Sequence, residues 1–467
     1  MREKKEVFSK LKKIFKNRVL IDYADKLPYI TDASEIIVSE PLAVVFPISA
    51  EEVVKLIRLA REYKTPLYAR GGGSSLSGGA VPLNENGIVV SFTKMNKILE
   101  IRERDLQVLV EPGIILEELN NHLVQYNLFF PVDPASSSVA TIGGMIAENA
   151  GGVRAVKYGV TRNWVLSLEV VTGTGKIIKT GANTFKQVVG YDLTSLFVGS
   201  EGTLGLITKA LLRVTSLPKY KSVMYGFFNS QEEASEAIHE VITAGIDVTA
   251  IEFMDKNTLE AIKAYTGFEY KGDAIVIIEV TGNNLDYINF LIDQIIAIFR
   301  EYGVIEFKRA TSSDEYNEIW KVRKSAAPAL ANVRPKMFVL DPTVPISAIP
   351  EYIKEIRKVC KKYNVQCAAF GHAGDGNVHP HVMFDPNNEE EYKRALKAAE
   401  EIYKVAIDMG GTVSGEHGVG IEKLKFLGLE VDREKIRIYK AIKKFFDPDN
   451  ILNPGKILAM GEHVEFE

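Results

Sequence analysis

Four of the seven histidines of a 467-residue chain, His372, His379, His381 and His417, fall within 46 residues of one another. Three stand in Gly371-His372-Ala373-Gly374-Asp375-Gly376-Asn377-Val378-His379-Pro380-His381, and the fourth in Ser414-Gly415-Glu416-His417-Gly418-Val419-Gly420. Turn-forming residues separate His372 from His379, so two extended ends can fold back and bring both rings to one point. Two imidazoles and one carboxylate are a recognised catalytic metal set with positions left open for substrate. The same residues could instead satisfy one another by hydrogen bonds. In a strand His379 and His381 would share a face, because side chains repeat every second residue.

A second chemistry-bearing pattern is Arg70-Gly71-Gly72-Gly73-Ser74-Ser75-Leu76-Ser77-Gly78-Gly79, which opens directly after a strand-like run. Glycines there let successive N–H groups converge on an anion, the requirement of a phosphate cradle, although a surface turn has the same composition. No Gly-Lys-Ser/Thr ending is present, and the contiguous glycines differ from the Gly-x-Gly-x-x-Gly dinucleotide pattern. Two further small-residue segments follow. One is Pro134-Ala135-Ser136-Ser137-Ser138-Val139-Ala140-Thr141-Ile142-Gly143-Gly144 with Asn149-Ala150-Gly151-Gly152, the other Gly199-Ser200-Glu201-Gly202-Thr203-Leu204-Gly205-Leu206-Ile207-Thr208. Three such loops suit a long cofactor whose diphosphate and ring both need close backbone approach.

The elements that must position these loops alternate strand and helix up to about Pro218. Strands are expected at Leu42–Pro47, Pro66–Ala69, Ile88–Phe92, Gln107–Val110 and Leu166–Thr172. Ser49 caps a helix through Tyr63, with Glu51 and Glu52 in its favourable first turn. From Lys219 the glycine density falls. Strands at Val223–Phe228, Val248–Phe253 and Ala274–Val280 and helices at Gln231–Thr243 and Tyr287–Tyr302 predict an α+β sandwich, antiparallel strands backed by helices. A last helix, Arg433–Phe446, leads into Leu452-Asn453-Pro454-Gly455-Lys456, a clasp returning to another domain.

Composition narrows the function classes. A net charge of -4 offers no basic excess, which argues against nucleic acid. No stretch reaches the roughly 18 apolar residues of a membrane span, and the start lacks a secretory signal. The basic run Arg2–Lys16 places Val7, Phe8, Leu11, Ile14 and Phe15 on one helical face. It reads as a docked surface helix, with a weak membrane-surface anchor as the alternative. Cys360 and Cys367 are too few for a cysteine-held iron–sulfur cluster and are expected as two core thiols. The cytoplasm is the expected location, with a peripheral position at the membrane as the alternative.

The three loops resemble those of the vanillyl-alcohol-oxidase superfamily of FAD enzymes, in the branch of D-lactate dehydrogenases and the flavin subunit of glycolate oxidase. The likeness runs from about Glu40 to Leu458. It implies an α+β chain with a two-part FAD-binding domain at 1–218 and an antiparallel sheet-and-helix substrate (cap) domain at 219–409. A C-terminal helical clasp at 410–467 would complete the site. For FAD it implies Gly71, Gly72, Gly73, Ser74, Ser75 and Gly78 at the diphosphate, and Pro134, Ser136, Ser138, Thr141, Gly144 and Asn149 along diphosphate and ring. Glu201 and Ile207 would sit near ribose and adenine, with Asn453 contributed by the clasp. Some relatives attach FAD through a histidine in the first loop; Ser74 and Ser75 stand here, so FAD is expected to be non-covalent.

In the metal-binding branch, His372, His379 and Glu416 would be ligands to one divalent ion, zinc before manganese or iron, and His417 the general base. An imidazole suits that role because its pKa lies near working pH. His381 departs from relatives that carry asparagine or an apolar residue, and is assigned to substrate contact. Trp320-Lys321-Val322-Arg323-Lys324 matches the family's tryptophan–arginine segment, making Arg323 the grip on a substrate carboxylate. Dicarboxylate-using relatives have threonine and lysine where Ala327 and Val339 stand, which favours a small monocarboxylate such as D-lactate or glycolate. The implied reaction oxidises a D-2-hydroxy acid to the 2-keto acid, passing electrons to an iron–sulfur partner, a quinone or another external acceptor. The resemblance also admits an alkyl-transferring flavoenzyme of the same superfamily, a flavin subunit active only with iron–sulfur partners, and a homodimer.

Overall fold

The computed structural model describes residues 2–457, with side chains from Lys4. Leu458, the expected end of the family likeness, and the remainder of the clasp to 467 lie outside the described residues, as does residue 1. The chain divides into two compact units. Among the described residues the first takes the chain up to Ala150, Val160–Leu217 and everything from Glu416; the second takes Gly151–Gly159 and Pro218–Gly415. The sequence-based boundaries at 218 and 409 thus stand beside boundaries at 217 and 415. Gly151–Gly159, inside the expected first domain, packs with the second unit. There Lys157 Nζ bonds Asp247 and the Thr281 carbonyl at 3.0 and 3.1 Å.

In the first unit, parallel strands Ala43–Val45, Ile88–Ser91 and Leu67–Arg70 form a sheet edged by antiparallel Val19–Leu20. Ser49 caps the helix Ala50–Tyr63 by accepting from Glu52 N at 3.3 Å. That helix buries Val53, Leu56, Ile57 and Ala60 in one cluster with Val7, Leu11 and Phe15 of the helix Arg2–Phe15. Each such large side chain stabilises by roughly 1.5–3 kcal/mol. The N-terminal helix therefore spends its apolar stripe on the core, leaving that face unavailable to a membrane surface. A second sheet is antiparallel, in the order Ile98–Arg102, Gln107–Val110, Gly205–Arg213, Val165–Thr172, Ile177–Gly181.

The second unit is built on a seven-stranded antiparallel sheet. Its order is Val304–Arg309, Tyr220–Phe228, Ala274–Gly282, Ala250–Asp255, Gln366–His372, Asn377–Phe384, Lys336–Val339. Alternation along these strands puts Met254, Ile275, Ile277 and Phe370 into one apolar cluster with Leu259, Ile319 and Ala329 of the covering helices. On the opposite parity Phe228 meets Phe299 of the helix Leu285–Glu301 at 5.2 Å, so helices cover both faces. The expected core thiols need correction: Cys360 and Cys367 are joined in a disulfide linking the helix Ile349–Lys362 to the strand Gln366–His372. A tight helix-to-strand turn brings their Cα atoms to 6.4 Å, a separation a bridge can span.

Candidate active site

Within the second unit the histidine-rich segment is a hairpin. Phe370 pairs with His379 and His372 with Asn377, and the turn between them holds Gly376 at φ +86°, the left-handed region glycine favours. The ring centroids of His372 and His379 lie 5.4 Å apart. Each ring has a buried carboxylate behind its Nδ1. Glu252 Oε1 lies 2.6 Å from His372 Nδ1, and Asp341 Oδ1 lies 3.6 Å from His379 Nδ1. Both carboxylates are fully buried. The Glu252 hydrogen bond on Nδ1 fixes the His372 ring and leaves its Nε2 on the far side as the donor for a metal.

Glu252 has a second partner. Arg323, on the helix Ser313–Lys324, donates from Nε to Glu252 Oε2 and lies over the Phe370 ring at 4.6 Å. Burial pushes the Glu252 carboxyl up, but Arg323 and His372 outweigh it and hold the group below the ordinary carboxylate range. His381 stacks on Phe370 at 4.5 Å, and its Nδ1–H donates to the His379 carbonyl at 2.8 Å. The same helix brings Tyr316 and Trp320 onto a further buried carboxylate, Glu279. At the end of this unit Gly415 N donates to Asp341 O at 2.9 Å, and the Ser414 hydroxyl donates to Asp341 Oδ2 at 2.8 Å. Asp341 thus fixes the backbone immediately before Glu416.

In the first unit the glycine loop leaves the strand Leu67–Arg70 and presses against residues 139–144. A Cβ on Gly71 would overlap Thr141 Oγ1, and one on Gly72 would overlap the Val139 carbonyl. Thr141 caps the helix Ile142–Glu148 by accepting from Gly144 N, and Asn149 ends it at φ +54°. The Ser75 hydroxyl is turned into its own loop, accepting from Ser77 N and Gly79 N at 3.2 Å. Gly78 lies against Ile421. Ser77 Oγ donates to the His417 carbonyl at 3.1 Å, while Ile421 N and Glu422 N donate to Ser77 O. Glu201 accepts from Val419 N and Gly420 N at 2.7 and 2.8 Å. His417 Nε2 lies 3.7 Å from Glu416 Oε1.

Two family models cover this architecture: an FAD binding domain matches residues 41–181, and the C-terminal domain of FAD linked oxidases matches residues 217–457. The chain belongs to the FAD-linked oxidase family. It is 40% identical over 438 residues to the glycolate oxidase subunit GlcD of Bacillus subtilis, covering 93% of each. It is 37% identical to a D-lactate dehydrogenase of Archaeoglobus fulgidus, covering 90% of this chain and 92% of that one. A D-2-hydroxyglutarate dehydrogenase of Stutzerimonas stutzeri is 31% identical, covering 95% and 96%. Among solved structures, p-cresol methylhydroxylase with substrate bound superposes with a TM-score of 0.81 at 18% identity, covering 98% and 97%, and shares the fold.

As an FAD-linked oxidase, the chain has a first unit whose residues fit the cofactor. Gly71 and Gly72 press so closely on Thr141 and Val139 that no Cβ fits, which holds the glycine loop and the second small-residue loop side by side. Asn453 donates from Nδ2 to the Glu201 and Gly79 carbonyls, while its buried Oδ1 has no partner among the described residues. Ser74, Ser136 and Ser138 lie at or near the surface of these loops, Pro134 accepts a turn bond from Ser137 N, and Ile207 is buried in the strand Gly205–Arg213. Beneath them Glu201 and Lys456 are buried, with Glu148 half-buried beside them. Burial first, and the Glu201 charge second, push the Glu148 carboxyl well up; burial also raises Glu201 and brings Lys456 down to about 7. Sequence reasoning missed Glu252, Asp341, Phe370 and Ser77. An acidic residue in a strand of otherwise apolar residues, Ala250-Ile251-Glu252-Phe253-Met254, was the signal available for Glu252.

Proposed function

We propose that the chain is an FAD-dependent dehydrogenase of a small D-2-hydroxy acid, D-lactate or glycolate, assisted by one divalent metal. The observation carrying this reading is the hairpin on which His372 and His379 each set Nδ1 against a fully buried carboxylate, the arrangement of metal-ligating imidazoles. His372 and His379, with Glu416 following on the chain, would hold the ion, zinc in preference to manganese or iron. The ion would supply Lewis acidity at the substrate hydroxyl. FAD, bound non-covalently, would supply the acceptor for the C2 hydride.

The chain's own residues do the remaining work. Arg323 has Nε committed to Glu252, and its outer nitrogens have no acceptor among the described residues. They can grip a carboxylate with two parallel hydrogen bonds. His417 takes the hydroxyl proton at an imidazole nitrogen, and its backbone is steadied by Ser77. Phe370 and His381 form a flat wall beside Arg323; the His381 Nδ1 is used by the backbone, so any substrate contact would be through Nε2. Val339, paired with His381, offers no cation to a second carboxylate, which supports a monocarboxylate.

Electrons would leave to an external protein or quinone acceptor, since the chain has only two cysteines. The test is anaerobic titration of the purified flavoprotein with a panel of 2-hydroxy acids. D-Lactate or glycolate should bleach the flavin faster than D-2-hydroxyglutarate, and L-lactate should not. Absence of bleaching by every hydroxy acid, from the chain alone and with its partner proteins, would point to the alkyl-transfer alternative.

A further inference from the structure

One buried carboxylate touches both halves of the proposed chemistry. Glu252 places Oε1 against Nδ1 of His372 and Oε2 against Nε of Arg323. It lies in the strand Ala250–Asp255 at the middle of the seven-stranded sheet, bonded to neighbouring strands on both sides. Its backbone therefore cannot drift, and the carboxylate has no exposure to water. Arg323 is further fixed by the Phe370 ring at 4.6 Å, and Phe370 precedes His372 by two residues on the same strand face. A guanidinium and an imidazole held by the two oxygens of one rigid carboxylate keep a constant separation.

We infer that Glu252 is a positioning residue that couples the substrate clamp to the metal ligand, setting the distance between Arg323 and His372. This rests on the reading of Arg323 and His372 given above. Removing one oxygen's charge should disturb both partners at once, because a single carboxylate holds both. Glu279 supplies an internal comparison. It is equally buried on the same sheet face and holds Tyr316 and Trp320, but neither His372 nor Arg323.

The experiment compares Glu252→Gln, Glu252→Asp and Glu279→Gln with the parent, all as FAD-loaded full-length protein. Zinc affinity is measured by competition with a chromophoric chelator, a readout independent of turnover. Binding of D-lactate is read from the concentration dependence of anaerobic flavin reduction. Glu252→Gln should weaken zinc by ~10–100-fold, the usual effect of losing a partner behind a ligating histidine. It should also raise the half-saturating D-lactate concentration by at least ~10-fold, as expected when a carboxylate clamp is misplaced by about 1 Å. Glu279→Gln should leave both near parental values, and Glu252→Asp should recover part of each loss. If Glu252→Gln does not fold, the aspartate variant carries the test, with a joint fall in both affinities expected. A variant that loses one affinity and keeps the other overturns the coupling, as does equal damage by Glu279→Gln. If the parent itself binds no zinc, or Arg323→Lys leaves D-lactate binding unchanged, the underlying functional reading fails instead.

Discussion

Ser77 Oγ donates a 3.1 Å hydrogen bond to the main-chain carbonyl of His417, joining two loops 340 residues apart in sequence. Ser77 belongs to the glycine loop of the FAD-binding unit, and His417 is the proposed base. The carbonyl of Ser77 returns the bond by accepting from Ile421 N and Glu422 N. Between them Gly420 sits at φ +52°, and a Cβ there would overlap the Ser77 carbonyl. Gly420→Ala should therefore destabilise the protein by roughly 1–3 kcal/mol and loosen both loops. Thermal unfolding and flavin release measured on the same samples check this, and unchanged values for both would show that the loops separate without cost.

FAD held by backbone cradles and hydroxyls should leave the protein when it is denatured. Acid precipitation is expected to release all the yellow colour into the supernatant; colour retained in the pellet would mean a covalent link. Gly72→Ala should strip FAD from the folded chain, because the new methyl meets the backbone of Val139, which has little room to move. Absorbance per mole of purified variant gives the occupancy.

Glu416 and His417 are adjacent in sequence and proposed for different tasks. His417→Asn should slow flavin reduction by ~10²–10⁴-fold, the usual contribution of a positioned base. D-Lactate binding should change little, since Arg323 remains. Glu416→Gln should first lower the metal content, read by elemental analysis, and only then activity. Extensive chelation of the parent should abolish turnover with FAD still bound, because different loops hold the two groups. Full activity in metal-free protein would remove the metal from the mechanism.

Glu148 gives a pH signature. A carboxyl raised above its ordinary value of 4.5 adds stability that is complete below that value and is lost as pH rises through the folded pKa. Glu148→Gln removes this dependence while keeping the shape of the protonated acid. The melting temperature of the FAD-loaded variant should therefore gain on the parent as pH rises from about 4.5 toward the raised folded value. A constant difference across that range would show Glu148 ionised throughout and paired with Lys456.

Local pattern was enough for much of this molecule. The Ser49 cap and the helices Gln231–Thr243 and Arg433–Phe446 are found where periodicity and capping residues put them, because those signals act within one or two turns. The hairpin of His372 and His379 was likewise visible, since its turn residues lie between the two histidines. The strand Gln366–His372 begins in the disulfide-linked turn, and nothing in the spacing of Cys360 and Cys367 announced the bridge, which depends on where a helix ends against a strand. Tertiary structure also decided what stands behind the site. Glu252 and Arg323 are 71 residues apart, and Glu252 and His372 120 apart, so their meeting depends on strand order in a seven-stranded sheet. Residue types and short-range spacing can offer the imidazoles and the arginine. Long-range pairing alone selects the buried carboxylate that holds them, because a charge leaves water only where several distant segments together supply its partners.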